Sequence, residues 1–350
     1  MEPTEKTRGP RRPTIRDVAA LAGVSKSLVS LVFSDPQKVS DARRLKVMAA
    51  ADKLGYTPNF LARSLAAEGG TFVGILVEDL HNPFIGQLVD HCRAYLDEYN
   101  EGAFVTSARL TDASGNSVID RLAVNALIDL RPKAIIAVGS IPEVESLKRV
   151  AKSIPIICAS DIPRGIERAS SVRTDDTEGM RLVIDHLVLQ GHKRIHNIKG
   201  PPGGSISLTR HAAYERAMLA NGLEDFIHAV SVRDASEASG YEAAQELLAL
   251  NSRPTAITCY NDLQAIGAQQ ALQEHEQATG EKIAITGYDN TYMSSLKQIS
   301  LTTIEPQNKM IAEKAVAILL EEIKHPVAKG HEFLMKPQLI VRDSSLNATV

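Results

Sequence analysis

Two sets of residues in this 350-residue chain have types and spacing suited to recognition chemistry. The first is Lys26, Ser27, Leu28 and Leu31 in the stretch Thr14 to Ser34, TIRDVAALAGVSKSLVSLVFS. If Val29 and Val32 turn inward, these side chains point away from a small core. In a helix-turn-helix, the first turns of the second helix present such groups to base edges in the major groove. The second set lies where apolar runs end: Asp79 with Phe84 close behind, Asp161, Arg210, Asp234 and Asp262. Ligands of open α/β sheets bind beyond the carboxyl ends of strands. A guanidinium at Arg210 can hold hydroxyls, a carboxylate or a phosphate through several donors, or it can form a surface salt bridge. Asp262 follows a strand and begins a helix, so its carboxylate can cap the helix, accept from a ligand, or do both. Asp79, Asp161 and Asp234 can equally be loop carboxylates, and Phe84 a core aromatic.

Other constellations carry no chemistry. His186, His192 and His196 lack the HExxH spacing of a zinc site and read as packing histidines. GPPGGSISLTR, Gly200 to Arg210, follows a strand and opens a helix, yet lacks the GK[ST] ending of a phosphate-binding loop. No GxSxG elbow occurs. No catalytic residue, cofactor or metal site is expected. Cys92, Cys158 and Cys259 are odd in number and far apart, as buried reduced thiols are.

The elements that position the first set are short helices. Thr14 can cap a helix whose first turn holds Asp17, and Ile15, Val18, Ala19 and Ala22 share one face. Gly23 stops it, and Ser25 starts the next. Ser40 can cap a third helix over DARRLKVMAAADKLGY, with Leu45, Met48 and Leu54 closing the core and Arg43, Arg44 and Lys46 suited to phosphates. Pro58 then breaks the chain, Asn59 can cap, and Phe60 to Ala67 form about two helical turns, marginal alone. Residues 1–68 carry a net charge of +5 and the rest −8. A basic head on an acidic body fits a polyanion partner confined to the head.

From Thr71 the pattern becomes continuous apolar runs alternating with amphipathic helices, as strands buried on both faces of a parallel sheet require. The runs TFVGILVED, GAFVTSAR, KAIIAVGS and IPIICAS make one half, with a helix from about Phe84 and another through Val118 to Leu130. The cycle restarts near Val172 with RIHNIKG, HAVSVRD, TAITCYN and KIAITGYD. No apolar span reaches membrane length and the N-terminus has no apolar signal region, so a cytoplasmic protein without membrane contact is expected.

TIRDVAALAGVS, Val29–Ser30, LGYTPN, the hinge ARSL, NPF, GHKRI, Asn261–Asp262, GYD at Gly287 to Asp289, LTTI and RDSS together resemble the lactose-repressor-type (LacI/GalR) family of bacterial transcription regulators. The resemblance implies a small all-α helix-turn-helix domain plus hinge helix, then a two-lobed α/β core like periplasmic binding proteins, with doubly wound parallel sheets. The expected limits are a disordered basic arm at 1–13, the DNA-binding domain at 14–57, hinge and linker at 58–70, and the core at 71–345. Lobe 1 then spans about 71–171 and 302–330, and lobe 2 about 172–301 and 331–345, the tail helix crossing back and the closing strand returning to lobe 2. It implies DNA contacts from Thr14, Ser25, Lys26, Ser27, Leu28 and Ser30, and from Asn59, Ala62, Arg63 and Leu65 in the hinge, Leu65 wedging into the minor groove. Arg210 and Asp262 become effector ligands, facing Asp79 and Phe84 across the crevice.

Two departures stand out. Leu28 and Leu31 occupy positions where the family usually has Thr and Arg, and Gly204, Ile206 and Ala235 lie near positions that purine-binding relatives make polar or aromatic. The reading is therefore a repressor that binds a palindromic double-stranded operator as a homodimer, under a sugar or related polar effector, with a protein co-regulator left open. A transport-class solute-binding protein and a sugar-handling enzyme are the alternatives; the basic head opposes the first and the lack of catalytic groups the second.

Overall fold

The computed structural model describes residues 13–34, 36–57, 70–111, 117–140 and 145–346. The arm up to residue 12 and the hinge residues Asn59, Ala62, Arg63 and Leu65 lie outside them. The chain divides into two compact units, Met1–Thr71 and Phe72–Val350.

Among its described residues the first unit holds three α-helices, α1 (Ile15–Ala22), α2 (Lys26–Ser34) and α3 (Asp41–Leu54). Asp17 reaches back to accept from the Thr14 N–H at 2.7 Å, satisfying a donor at the helix start. Gly23 ends α1 at φ +63°, a conformation that costs glycine nothing. Ser25 Oγ accepts from the Leu28 N–H at 3.1 Å and starts α2. Val18, Ala22, Val29, Val32, Val47 and Ala51 form the buried centre. The α3 face differs from expectation: Leu45 and Met48 are 66% and 40% exposed. Val47, Ala50, Ala51 and Leu54 pack inward instead, an i, i+3, i+4, i+7 stripe that excludes the other two.

The second unit has two lobes. A six-stranded sheet in the order β13-β7-β6-β5-β1-β2 makes the first: β1 (Val73–Val77), β2 (Ala103–Ser107), β5 (Ala134–Val138), β6 (Ile156–Ala159), β7 (Ser170–Thr174) and β13 (Glu332–Met335), with parallel pairings. Val73, Ile75 and Val77 pack on one side with α4 (Pro83–Glu98) and α11 (Asn308–Lys324). Phe72 and Leu76 pack on the other with α5 (Arg121–Asp129) and α6 (Glu145–Val150). Burial on both faces explains the unbroken apolar runs of β1, β5 and β6, whereas β2, from the run GAFVTSAR, lies at the sheet's edge with Ala103 and Phe104 exposed. The helix expected from Val118 begins only at Arg121. Asp120 caps it, accepting from the Ala123 N–H at 2.9 Å, and Val118 lies in β4 (Ser117–Ile119), paired antiparallel with β3 (Arg109–Thr111). Side-chain capping by Asp120 competes with continuing the helix upstream.

The second lobe's parallel sheet runs β11-β10-β8-β9: β8 (Ile195–Ile198), β9 (Ala229–Val230), β10 (Ala256–Cys259) and β11 (Ala284–Thr286). Helices α7 (Asp176–Leu189) and α8 (Ser205–Ala220) cover one face, α9 (Glu237–Leu248) and α10 (Asp262–Thr279) the other. The lobe limits differ from those expected. β7 and β13 both join the first lobe, where β13 covers what would otherwise be an exposed edge. β12 (Thr303–Glu305) pairs antiparallel with β14 (Gln338–Ile340), and Ile304 is buried in the second lobe's core. The expected closing strand is thus split between the lobes.

Helices α9 and α10 approach through glycines facing each other's backbone. A Cβ on Gly267 would lie 1.8 Å from the Glu237 carbonyl oxygen, and one on Gly240 2.1 Å from that of Gln264. Gly267→Ala must push the helices apart, and urea unfolding should register a loss of about 2–3 kcal/mol. Stability equal to the native chain's would contradict this packing.

Candidate functional site

On the first unit, Ser25, Lys26, Ser27 and Ser30 are exposed along α2, and Thr14 is half-buried at the head of α1. Leu28 and Leu31 are half-buried against the core. They are therefore not the freely offered apolar groups that their positions suggest. Arg43 and Lys46 remain exposed on α3, while Arg44 pairs with Asp41 at 2.8 Å.

In the second unit, the ends of β1, β6, β10 and β11 bring Glu78, Asp161, Tyr260 and Asp289 into one electrostatic neighbourhood with Arg210. Arg210, in the second turn of α8, is 7% exposed. Its Nε donates to Asp176 Oδ1 at 2.8 Å and its Nη1 to the Tyr260 carbonyl at 2.6 Å. The guanidinium carbon lies 3.5 Å from the Tyr288 ring centroid and 4.9 Å from that of Tyr260. Burial opposes its charge, yet Asp176, Tyr288 and Asp289 hold its pKa above the ordinary arginine value. The salt bridge expected as an alternative is present, but buried.

Asp289 was quoted in sequence only as part of GYD, and the structure brings it to Arg210, 3.6 Å from Nη1. Its φ is +111°, and Asn290 follows at +45°, conformations costly for residues with a Cβ. The neighbours overdetermine this turn. Asn290 Nδ2 donates to Glu305 at 2.8 Å, and Arg342 Nη2 donates to Asn290 Oδ1 at 2.7 Å. Burial pushes the Asp289 carboxyl well above the usual carboxylate range; Arg210 opposes this, while Asp262 and Asp176 add to it.

Asp262 does other work than expected. It is fully buried, and Oδ2 accepts from the Thr291 N–H at 2.7 Å and its hydroxyl at 2.9 Å. Oδ1 accepts from the Thr303 hydroxyl at 2.6 Å. Oδ2 thus pins Thr291, the residue after the strained turn, Oδ1 holds Thr303 of β12, and Asn261, not Asp262, caps α10. Burial raises its pKa to about 6 against these bonds. Gly287 is required beside it, since a Cβ there would lie 2.4 Å from Oδ1.

The remaining candidates divide. Asp161 sits just beyond β6, 5% exposed, with Oδ1 buried and without a hydrogen-bond partner. Asp79 is half-exposed and accepts from its neighbour His81 N–H at 2.8 Å. Glu78, one residue earlier, turns inward and acts electrostatically on Tyr260 of the other lobe, as does Asp161. Glu78 and Tyr260 escaped sequence reasoning; each is simply the residue beyond an apolar run. Phe84 is 5% exposed within the first lobe's core. Asp234 accepts from the Ser239 hydroxyl at 2.7 Å, from Arg233 Nε at 3.1 Å and from Ser236. These bonds outweigh partial burial and lower its pKa to about 2, which marks a loop carboxylate.

Gly204 and Ile206 flank the start of α8, and the Ala235 carbonyl accepts from Asn261 at 3.2 Å. His196 packs against His228 with ring centroids 4.8 Å apart and tilted by 47°, and burial, helped by His228 and Arg194, lowers it to about 4, in keeping with a packing role. The three cysteines are buried. Among the described residues no cluster of metal-ligating side chains occurs, and no helix is long and apolar enough to cross a membrane.

Residues 14–59 match the family profile for bacterial regulatory proteins of the lacI family, and 184–345 that for a periplasmic binding protein-like domain. The HTH-type transcriptional repressor PurR of Vibrio campbellii is 30% identical over 338 residues, 95% of this chain and 98% of the relative. The HTH-type transcriptional regulator GalR of Salmonella typhimurium is 32% identical over 88% of each chain. The crystal structure of the lac repressor dimer bound to operator and the anti-inducer ONPF superposes with a TM-score of 0.79 at 27% identity, covering 96% of this chain and 100% of that one.

Removing the Asp262 carboxylate strands three buried donors. Asp262→Ala should therefore cost about 2–4 kcal/mol in denaturant unfolding. A variant as stable as the parent would show that the turn at Asp289 holds itself.

Proposed function

Because the chain belongs to the LacI family of bacterial regulatory proteins, we propose that it is a repressor whose grip on a palindromic operator is set by a small polar effector between its lobes. It is a DNA-binding transcriptional regulator and not an enzyme. The carrying observation is the pairing of an exposed polar α2 face with a separate crevice built on Arg210 and Asp289.

In this reading, Lys26, Ser27 and Ser30 read bases, helped by Thr14 and Ser25, and the hinge residues Asn59, Ala62, Arg63 and Leu65 engage the minor groove when two heads sit on one site. The protein works as a homodimer in the cytoplasm, as two-fold operators require two-fold proteins. Leu28 and Leu31 serve packing more than readout. In the crevice, Arg210 and Asp289 hold the effector from the second lobe, and Glu78, Asp161 and Tyr260 meet it from both sides. Asp262 acts through the turn that it pins. A ligand shifts the lobe arrangement only by its differential affinity for the two arrangements.

Gel shifts with fragments from the protein's own locus test this. Six or more phosphate contacts should lower affinity on the order of a thousandfold between 50 and 200 mM salt. Addition of the effector should change affinity roughly 5- to 150-fold, and Asp289→Asn should remove that response while sparing operator binding without effector. Salt-insensitive binding would count against the operator reading, and an undiminished response in Asp289→Asn against the crevice.

A further inference from the structure

The first lobe lines the crevice with acceptors whose oxygens are only partly used. Glu78 Oε2 accepts from the Ser140 N–H at 2.7 Å. Gly139, at φ +78°, lies directly beneath, where a Cβ would come within 2.6 Å of Oε2. Asp161 Oδ1 is buried with no partner, a costly state for a carboxylate unless something arrives to donate to it. Of the nearby cations, Arg109 acts on Glu78 with its Nε buried and unpartnered, while Arg164 and Arg210 are committed elsewhere. Arg164 donates from Nε to Ser205 Oγ at 2.6 Å and from Nη1 to the Gly203 carbonyl. Arg210 is matched by Asp176 and Tyr260.

The electrostatics agree. Burial raises Glu78 to about 7; the Ser140 N–H and Arg109 oppose this, while Asp161 and Asp79 reinforce it. Burial raises Asp161 to about 6 against the Ile162 N–H, Arg164 and the hydroxyls of Ser140 and Ser205. Tyr260, facing both, is also raised, by burial first. An anion placed between Glu78 and Asp161 would meet two neighbouring carboxyls, with Arg109 the cation acting directly on Glu78, whereas hydrogen donors would supply what the carboxylates lack.

We propose that the part of the effector held between Glu78 and Asp161 is a hydrogen-bond donor, hydroxyl or ammonium, and that the crevice refuses phosphorylated and carboxylate-bearing counterparts. This rests on the reading of the crevice as the effector site. Donors bind the ionised carboxylates, so binding expels protons. Below pH 6 both groups are largely protonated and binding is weak; above pH 8 both are ionised and it reaches its plateau. Between pH 6 and 8 affinity should rise on the order of tenfold, the change in the fraction of chains with both groups ionised. An anionic ligand would show the opposite slope.

The test screens the full chain by thermal shift against pentoses, hexoses, polyols and nucleosides, each with amino, phosphorylated and carboxylate counterparts. Calorimetry of each stabiliser then follows in two buffers of different ionisation heat. Stabilisers confined to hydroxyl and amino members, with proton release, support the proposal; the amino member outranking its parent identifies ammonium, the reverse hydroxyl. The double variant Glu78→Gln, Asp161→Asn, which only removes buried charge, should bind more weakly and lose the pH slope. A phosphorylated or carboxylate compound as strongest stabiliser, its effect lost in Asp289→Asn, would overturn the donor assignment and leave the crevice standing. Stabilisation unchanged in both variants, or none from any class, would overturn the crevice reading and this proposal with it.

Discussion

The arrangement depends on one buried guanidinium. Arg210 is held by Asp176 at the start of α7, by the Tyr260 carbonyl beyond β10, and by the Tyr288 ring and Asp289 beyond β11. Withdrawing such a charge from water costs several kcal/mol unless its partners are fixed in place. Four segments of the second lobe must therefore be correctly set at once, and each is a strand end or helix start. The requirement extends upstream: Arg173 donates to Asp176 at 3.3 Å and to Glu332 at 2.9 Å. Arg173 and Glu332 belong to β7 and β13, so a line of alternating charges runs from the first lobe's edge strands into the second lobe.

That line lies where the chain itself passes between lobes. The crossings fall between β7 and α7, between β12 and α11, and between β13 and β14. Thr174 Oγ1 donates to the Pro306 carbonyl at 3.0 Å, tying two crossings together. A change in lobe angle must be absorbed by these few residues, and Arg173 and Asp176 sit among them. A ligand that altered how Arg210 shares its bonds would therefore act on the inter-lobe crossings as well. Such a coupling needs no longer pathway than the ion pairs already named.

Much of this architecture was legible in the sequence, for identifiable reasons. Continuous apolar runs announced strands buried on both sides, and Gly23 marks the end of α1 by local chemistry alone, whereas Asp120, the cap of α5, lies inside a run from Val118 that reads as one helix. Arg210 could be found because it follows a glycine-rich strand end. What escaped depends on single-residue placement. Whether Glu78 or Asp79 enters the crevice turns on where β1 stops, a one-residue question that composition does not decide. Leu45 and Met48 share a helix with Val47 and Ala50, and only packing shows which stripe faces inward. Asp289 was hidden because its value lies in a left-handed turn imposed by Asp262, Thr303, Glu305 and Arg342, residues distant in sequence. For the same reason the motif shows a carboxylate at Asp262, but not that both its oxygens already accept from Thr291 and Thr303.

The carboxylates of the crevice explain why so much structure is spent on holding a turn. Glu78, Asp161 and Asp289 all have raised pKa values, and burial is the leading cause in each. For such groups stability is greatest while they are protonated, and it falls as pH rises through the raised pKa. Glu78 and Asp161 therefore lose their protons at a cost in stability as pH rises toward neutral, while neighbouring bonds hold the surrounding turn in place: Tyr288 against Arg210, and Thr291 and Thr303 on Asp262. A site free to relax would satisfy its own acceptors and leave little for a ligand to gain. Fixed in place, the acceptors offer a donor-bearing ligand of the proposed site a binding energy that the protein cannot recover alone.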